Sequence, residues 1–202
     1  MRKRIFFTAD WHLGHENCLQ FDNRPFQSLD DMERTLIKRF NATVPRFGLT
    51  YFLGDMGRTP RLKEVLQKLN GTHVLVLGNH DHKMHGMYNK GFHVVVNSAS
   101  LIIAKQIVTL SHCPLTGVWR EDTSNFKNST PGENWHREKY NVQYSVPNFG
   151  QFHLHGHTHM SKERGSVKSG RQWDVGVVGN NYQPVSISQV ESWINKTLKE
   201  GE

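Results

Sequence analysis

Three short apolar runs in the first half of the chain each end in a polar cluster, and two helical patterns separate them. The strands predicted around these runs cover residues 4–8, 51–53 and 73–77. Continuous apolar runs of this length are typical of strands buried on both faces. One helix is predicted from Ser28, with Asp31, to about Asn41, and another after Thr59-Pro60. Alternation of strand and helix predicts parallel β-α-β units.

The second half of the chain is richer in predicted strands. Residues 101–104 and 107–110 flank Lys105-Gln106 as a hairpin, and residues 152–154 and 173–178 predict further strands. A last helix is predicted from Ser188, with Glu191 completing a capping box. Residues 119–150 are polar and turn-rich, which indicates a loop insertion. We predict one α/β domain over residues 1–202.

Charge and cysteine content narrow the class of protein. The formal net charge is +7, which favours an anionic partner such as a nucleotide or nucleic acid. Cys18 and Cys113 lie far apart, so neither a disulfide framework nor a cysteine-rich zinc site is indicated. No apolar run approaches the roughly 20 residues of a membrane span. We therefore expect a cytoplasmic protein with no membrane association and no obligate protein partner.

Five polar clusters follow the predicted strands, and their residue types indicate one site. Ligand groups in open α/β sheets gather beyond the carboxyl ends of strands, so clusters that are far apart in sequence can converge there. Taken singly, a Gly-Asp pair is typical of a turn, and a lone histidine of a surface or core position. The clusters are Asp10-Trp11-His12, Gly54-Asp55, Gly78-Asn79-His80-Asp81, Ser111-His112 and Gly156-His157-Thr158-His159.

The donor atoms of these clusters suit transition metals. Aspartate supplies anionic oxygen, neutral histidine supplies nitrogen, and asparagine supplies a carbonyl oxygen without adding charge. Side chains two apart in an extended segment, such as Asp10 with His12 and His157 with His159, point to the same side. With few carboxylates, two divalent ions would leave net positive charge for a phosphate group.

The ordered set of clusters resembles the signature of the calcineurin-like metallophosphoesterase family: Asp-x-His, Gly-Asp, Gly-Asn-His-Asp/Glu, His and Gly-His-x-His. Three further stretches resemble its small members: Gly14-His15-Glu16-Asn17, Arg24-Pro25-Phe26 and Pro184-Val185-Ser186. The chain departs from the family in having Met160-Ser161-Lys162 where a proline is common, and in its long segment 119–150. The resemblance implies two mixed β-sheets packed as a sandwich and flanked by helices.

The resemblance also implies a role for each matching residue. It places one metal ion on Asp10, His12 and His159, and a second on Asn79, His112 and His157. Asp55 would bridge the two ions. His80 would be the general acid, and Asp81 would orient it. Two divalent ions are implied, with Mn favoured and Fe, Zn, Ni and Mg as alternatives.

Four neighbouring residues are candidates for substrate binding. His15 and Asn17 follow the first cluster, and Arg58 and Arg61 follow the second. The alternative for the first two is a structural role in their loop. The alternative for the arginines is a solvated helix face.

The reaction implied is hydrolysis of a phosphodiester by a hydroxide that bridges the two ions. The positive charge favours a nucleotide or nucleic acid as substrate. Three alternatives stay open: a phosphomonoesterase acting on a small compound, a non-catalytic metal-binding scaffold, and a nucleic-acid-binding module in which the metal is structural.

Overall fold

A computed structural model of the chain describes residues 4–57, 60–81, 83–115, 143–161 and 165–201. Its helices and strands fall into two sheets and five helices among those residues. In chain order they are β1 (Ile5–Thr8), α1 (Asn17–Phe21), α2 (Leu29–Thr43), β2 (Leu49–Leu53), α3 (Leu62–Lys68), β3 (Thr72–Val76), α4 (Met84–Lys90), β4 (Val94–Val96), β5 (Ala99–Ile103), β6 (Gln106–Leu110), β7 (Phe152–His155), β8 (Lys168–Ser169), β9 (Gln172–Asp174), β10 (Val185–Ser186) and α5 (Ile187–Glu200).

Both five-stranded sheets are mixed. The first has the order β10-β1-β2-β3-β4, in which β1 to β4 are parallel and β10 is antiparallel to β1. The second has the order β5-β6-β7-β9-β8, with β6, β7 and β9 parallel and antiparallel strands at both edges. The predicted α/β fold with two mixed sheets is therefore confirmed.

Alternate residues of the first sheet enter two different cores. Phe6 and Phe52 pack with helices α2, α3 and α4 on one face of the sheet. Phe7 and Leu53 are buried on the opposite face, with residues of β6, β7, β9 and helix α5. This alternation follows from the period of two in a strand and explains why β1 and β2 have large apolar residues on both faces. The result is a layer of helices, two sheets in contact, and α5 packed against the core between the sheets.

Most of the predicted elements lie close to their expected positions. Helix α2 begins after Ser28, whose hydroxyl accepts the Asp31 amide at 3.2 Å. Helix α3 begins at Leu62, two residues after the predicted Thr59-Pro60 start. The β5–β6 hairpin turns at Ala104-Lys105, one residue earlier than predicted. Both turn residues have positive φ (49° and 62°), the combination that matches the twist of two paired strands.

Two predictions are wrong in detail. Helix α5 begins after Ser186, not Ser188, because Ser186 and Gln189 form the capping box. Strand β9 ends at Asp174, short of the predicted end at residue 178, because the chain turns away. The Asp174 carboxylate accepts the Gly176 amide at 2.7 Å, and the Asn180 amide group donates to the Gly176 carbonyl at 2.7 Å.

The predicted insertion at residues 119–150 lies outside the described residues up to residue 142. Within the described ranges, no helix is long and apolar enough to cross a membrane.

We expect substitutions on the buried face of the second sheet to lower the free energy of unfolding much more than substitutions on its outer face. Ile103 is fully buried, whereas its neighbour Ile102 on the same strand is 69% exposed. Ile103→Ala should lower the free energy of unfolding by about 2–5 kcal/mol, because it leaves a cavity between the sheets. The matched Ile102→Ala should change it by about 0.5 kcal/mol. Urea unfolding of both variants measures the difference, and equal losses would contradict this assignment of the faces.

Candidate metal centre

Backbone hydrogen bonds bring the polar loops of both sheets together. The loop after β1 pairs with the loop after β2, since the Asp10 amide donates to the Gly54 carbonyl at 3.1 Å and the His12 amide to the Asp55 carbonyl at 3.0 Å. The loop after β7 reaches the same place: the His157 amide donates to the Asp10 carboxylate at 3.0 and 3.1 Å. Loops that follow strands of both sheets therefore meet at one place.

Asp10, His12 and His159 form the first donor group. Nε2 of His12 lies 3.1 Å from Nε2 of His159, and Nε2 of His159 lies 3.6 Å from Oδ1 of Asp10. One donor atom from each residue falls within a common radius, and Asp10 and His12 are buried. Ligands about 2.1 Å from a tetrahedral ion lie about 3.4 Å apart, so this spacing fits a metal ion.

Asn79, His112 and His157 form the second donor group. The Asn79 Oδ1 lies 2.9 Å from Nε2 of His112 and 3.1 Å from Nδ1 of His157. The two imidazole nitrogens are 3.2 Å apart. Each atom can supply a lone pair, so a cation among them would satisfy all three.

Asp55 lies between the two donor groups. Its Oδ2 is 3.6 Å from Nε2 of His12 in the first group and 3.4 Å from Nε2 of His112 in the second. Its Oδ1 accepts the His80 backbone amide at 2.9 Å. Asp55 is 1% exposed, so its charge faces these histidines rather than water. The structure thus brings together all seven predicted ligands, with one carboxylate shared.

Hydrogen bonds on the far side of two imidazoles select the nitrogen that faces the donor groups. The Nδ1 of His112 lies 2.8 Å from the Leu53 carbonyl oxygen, which can only accept. The Nδ1 of His159 lies 2.8 Å from the Asp22 carboxylate. In the neutral form of each ring the proton therefore lies on Nδ1, and Nε2 has the lone pair that a metal requires.

The protonation of the histidines follows from burial and neighbouring carboxylates. Burial lowers the pKa of His12 and of His157 to about 4, which leaves both imidazoles neutral. Burial acts in the same direction on His112, but Asp55 outweighs it and raises the pKa to about 9. Asp10 and Asp22 likewise raise the pKa of His159 to about 10. The carboxylates thus favour a positive charge at both donor groups.

Five of the donor residues have positive φ angles, which residues other than glycine rarely adopt. The φ angles are 59° at Asp10, 50° at His12, 55° at Asp55, 67° at His157 and 47° at His159. Such left-handed residues cost roughly 1–3 kcal/mol each and concentrate at functional sites. The strain aims side chains from separate loops at one point.

Two glycines allow the loops to approach this closely. A Cβ on Gly78 would lie 2.5 Å from the Asp55 amide nitrogen. A Cβ on Gly54, whose φ is +90°, would lie 2.7 Å from the Cα of Gly78 and would strike the His112 ring. Neither position can carry a larger residue without moving a donor.

Asp81 accepts three backbone amides, and the orientation of His80 by Asp81 stays a prediction. The Oδ2 of Asp81 accepts the amides of Asp55 at 3.0 Å and Gly78 at 2.9 Å, and its Oδ1 accepts the Met56 amide at 2.9 Å. These bonds join the loops after β2 and β3. The contacts of Asp81 therefore favour fixing the position of Asp55.

His80 lies beside an open cleft at the first donor group. Its ring centroid is 5.4 Å from that of His12 and 6.4 Å from that of His15. The cleft has a volume of about 470 Å³ and is lined by His12, Leu13, Gly14, His15, Gly57, Pro60 and His80. A substrate bound there would meet His80 and the edge of the donor groups.

The other predicted substrate-binding residues fare differently. His15 lines the cleft, whereas Asn17 is exposed at the start of α1 and is not among the lining residues. Arg58 lies outside the described residues. Arg61 pairs with Asp30 at 2.8 Å and Glu33 at 3.0 Å, the contacts of an ion pair with helix α2. Substrate binding by Arg61 therefore stays a prediction that its contacts do not favour.

Three residues around the donors did not emerge from the sequence as site residues. Asp22 and Arg24 form a buried ion pair at 2.9 Å behind His159. Asp174 accepts the Thr158 hydroxyl and, at 3.0 Å, the Met160 amide, which shapes the loop that carries His157 and His159. The Arg24-Pro25-Phe26 stretch was the available signal for Arg24. Asp22 and Asp174 had none beyond a carboxylate in or near a loop.

Comparison with known proteins shows similarity of fold and sequence without an assigned activity. No family model matches the chain. An uncharacterised protein of Methanocaldococcus jannaschii, MJ1445, is 37% identical over 83 residues, which cover 39% of this chain and 47% of that protein. The chain thus spans about half of that relative's length. The Gene 66 protein of Mycobacterium phage L5 is 27% identical over 175 residues, 76% of each chain.

Two solved structures resemble the fold to different degrees. The Aquifex aeolicus protein of unknown function AQ665 is 21% identical and superimposes with a TM-score of 0.65, covering 94% of this chain and 98% of that one. The Escherichia coli phosphoesterase YfcE is 16% identical, with a TM-score of 0.39 and coverage of 87% and 79%. The chain is therefore similar in fold to AQ665, a protein whose function is unknown.

Proposed function

We propose that this protein hydrolyses phosphoesters with two divalent metal ions, one at each donor group. The observation that carries the proposal is the position of Asp55, whose Oδ2 lies within 3.6 Å of a histidine nitrogen in both groups. A carboxylate shared by two such groups suits a pair of ions about 3.5–4 Å apart. When bound, the ions would polarise phosphoryl oxygens and lower the pKa of water.

The chain's own residues would hold and protonate the substrate. His80 lines the cleft beside the donor groups, where an imidazolium could donate a proton to the leaving oxygen. Its backbone amide donates to Asp55 at 2.9 Å, so the residue is fixed relative to the shared carboxylate. His15 lines the same cleft, where it could contact a bound substrate.

A phosphodiester of a nucleotide or nucleic acid is the substrate class that we propose. The net charge of +7 supports an anionic substrate of this kind. The ligand set supports binding of a phosphate group in either kind of ester, since Asp10 and Asp55 are the carboxylates among seven predicted ligands. Four positive charges from two ions would exceed two carboxylates, which leaves attraction for a phosphate.

We expect Mn-dependent hydrolysis of bis(p-nitrophenyl) phosphate that exceeds hydrolysis of p-nitrophenyl phosphate. Asn79→Ala should lower kcat/KM by about 100-fold or more, since it removes a ligand. The exposed Asn89 offers a matched control, and Asn89→Ala should retain full activity. Preference for the monoester would overturn the diester proposal. No turnover with Mn, Fe, Zn, Ni or Mg, in folded protein that binds ions, would favour a scaffold.

The role of His80 has a signature that depends on the leaving group. An alkyl leaving oxygen needs a proton, whereas p-nitrophenolate leaves without one. His80→Ala should therefore lose about 10²–10⁴-fold on a diester with an alkyl leaving group and much less on the nitrophenyl diester. His85 is exposed on α4, and His85→Ala is the control. Equal losses on both substrates would show that His80 is not the acid.

Metal binding should release protons and strengthen with pH. A ligand imidazole must be neutral, but the pKa of His112 is about 9 and that of His159 about 10. Below pH 9 an ion must displace a proton from each, so affinity falls as pH falls. Calorimetric titration of chelator-treated protein with Mn at pH 7, in buffers of different ionisation enthalpy, should show at least two protons released for two ions, one from each of these imidazoles. Absence of proton release would contradict this charge state.

A further inference from the structure

Asp22 and Arg24 are charged side chains buried behind the first donor group. The Arg24 side chain is 0% exposed and that of Asp22 is 4% exposed. Removing both charges from water carries a penalty that their attraction barely offsets, so a buried ion pair is weak evidence for stability. We therefore examined whether this buried pair determines the geometry of the first donor group.

The contacts of Arg24 show which geometry is specified. Its Nη2 donates to the Asp10 carbonyl at 3.0 Å and its Nη1 to the Trp11 carbonyl at 3.1 Å. These carbonyls belong to the strained segment that carries two donors, where Asp10 has a φ of 59°. The remaining donors of Arg24 go to the Asp22 carboxylate and to Sδ of Met32 at 3.5 Å. All five N–H groups of the guanidinium thus have acceptors.

The contacts of Asp22 complete the connection. Its Oδ2 accepts Nε of Arg24 at 3.0 Å, and its Oδ1 and Oδ2 lie 2.9 and 2.8 Å from Nδ1 of His159. A carboxylate at this nitrogen fixes the ring orientation and makes the opposite nitrogen a better ligand. Asp22 thus reaches the third donor of the group while Arg24 holds the backbone of the other two.

We propose that Asp22 and Arg24 are positioning residues that set the affinity of the first donor group for its ion, by holding His159 and the Asp10–His12 segment in register. This inference rests on the proposed function. The role of Arg24 requires a planar guanidinium with five N–H donors. A lysine has three donors on one nitrogen and cannot reproduce these hydrogen bonds. The hydrogen bonds of Asp22 and Arg24 described above lead to His159 and to the Asp10–His12 segment of the first donor group.

The test measures how tightly the Asp22→Asn and Arg24→Lys variants bind each of two ions. Metal-free protein is titrated with Co²⁺, and the visible absorption of the bound Co²⁺ is recorded. One of the two binding steps should weaken about 10–100-fold in each variant and the other should be unchanged. The matched controls are Asp30→Asn and Arg34→Lys, whose side chains are 62% and 73% exposed, and both should bind as wild type does. Activity of the Asp22 variant should recover at high metal concentration.

Other outcomes would overturn the inference. Unchanged affinities at both steps, with only a lower midpoint of unfolding, would mean a purely structural ion pair. Equal weakening of both steps would mean that the pair supports the whole site. Wild-type protein that binds no ion would overturn the proposed function and this inference together. Wild-type protein that binds two ions, with variants that bind them equally well, would overturn this inference alone.

A measurement on wild-type protein covers variants that do not fold. With Zn²⁺ bound, two-bond ¹H–¹⁵N correlation spectra should show His159 protonated at Nδ1, with the metal on Nε2. A spectrum in which Nδ1 of His159 carries the metal would overturn the role of Asp22.

Discussion

The rest of the site depends on the contacts of the Asp55 carboxylate with both donor groups. This carboxylate is held from behind by the His80 amide and faces a histidine nitrogen of each donor group. Asp81 fixes its backbone by accepting the amides of Asp55, Met56 and Gly78. Burial raises the pKa of Asp55, but His112 and His12 outweigh it and bring the pKa well below its usual value. A charged carboxylate in this position would suit the pair of cations that we propose, one on either side.

The fold supplies the strain that this arrangement needs. Donors come from loops after strands of both sheets, and several have left-handed backbones that would be unfavourable in isolation. Three devices over-determine those conformations: hydrogen bonds between the loop after β1 and the loop after β2, close approach at Gly54 and Gly78, and the bonds of Arg24 to the Asp10 and Trp11 carbonyls. The two packed sheets provide the rigid frame on which the loops can be held.

The sequence alone was sufficient to predict the strands that carry the donors and the residue types at their ends. Continuous apolar runs identify buried strands, and Asp10 or His157 directly after such a run must lie near the rim. The left-handed backbones were not predictable, because only a few per cent of non-glycine residues adopt them, even though Asp and His do so more often than most. Asp22 was not predictable either, since it follows a short helix rather than a strand. The start of α5 was misplaced because Ser186-x-x-Gln189 and Ser188-x-x-Glu191 both match a capping box. Ser186 also pairs with Phe6 of β1, and this tertiary contact favours the capping box that starts at Ser186.

The most direct test of the account is the location of bound metal around Asp55. Crystals of Mn-loaded protein, measured at wavelengths on either side of the Mn absorption edge, would reveal each ion by its anomalous signal. We predict two peaks about 3.5–4 Å apart, one beside each donor group, with the Asp55 carboxylate in contact with both. A single peak, or two peaks that do not share Asp55, would contradict it.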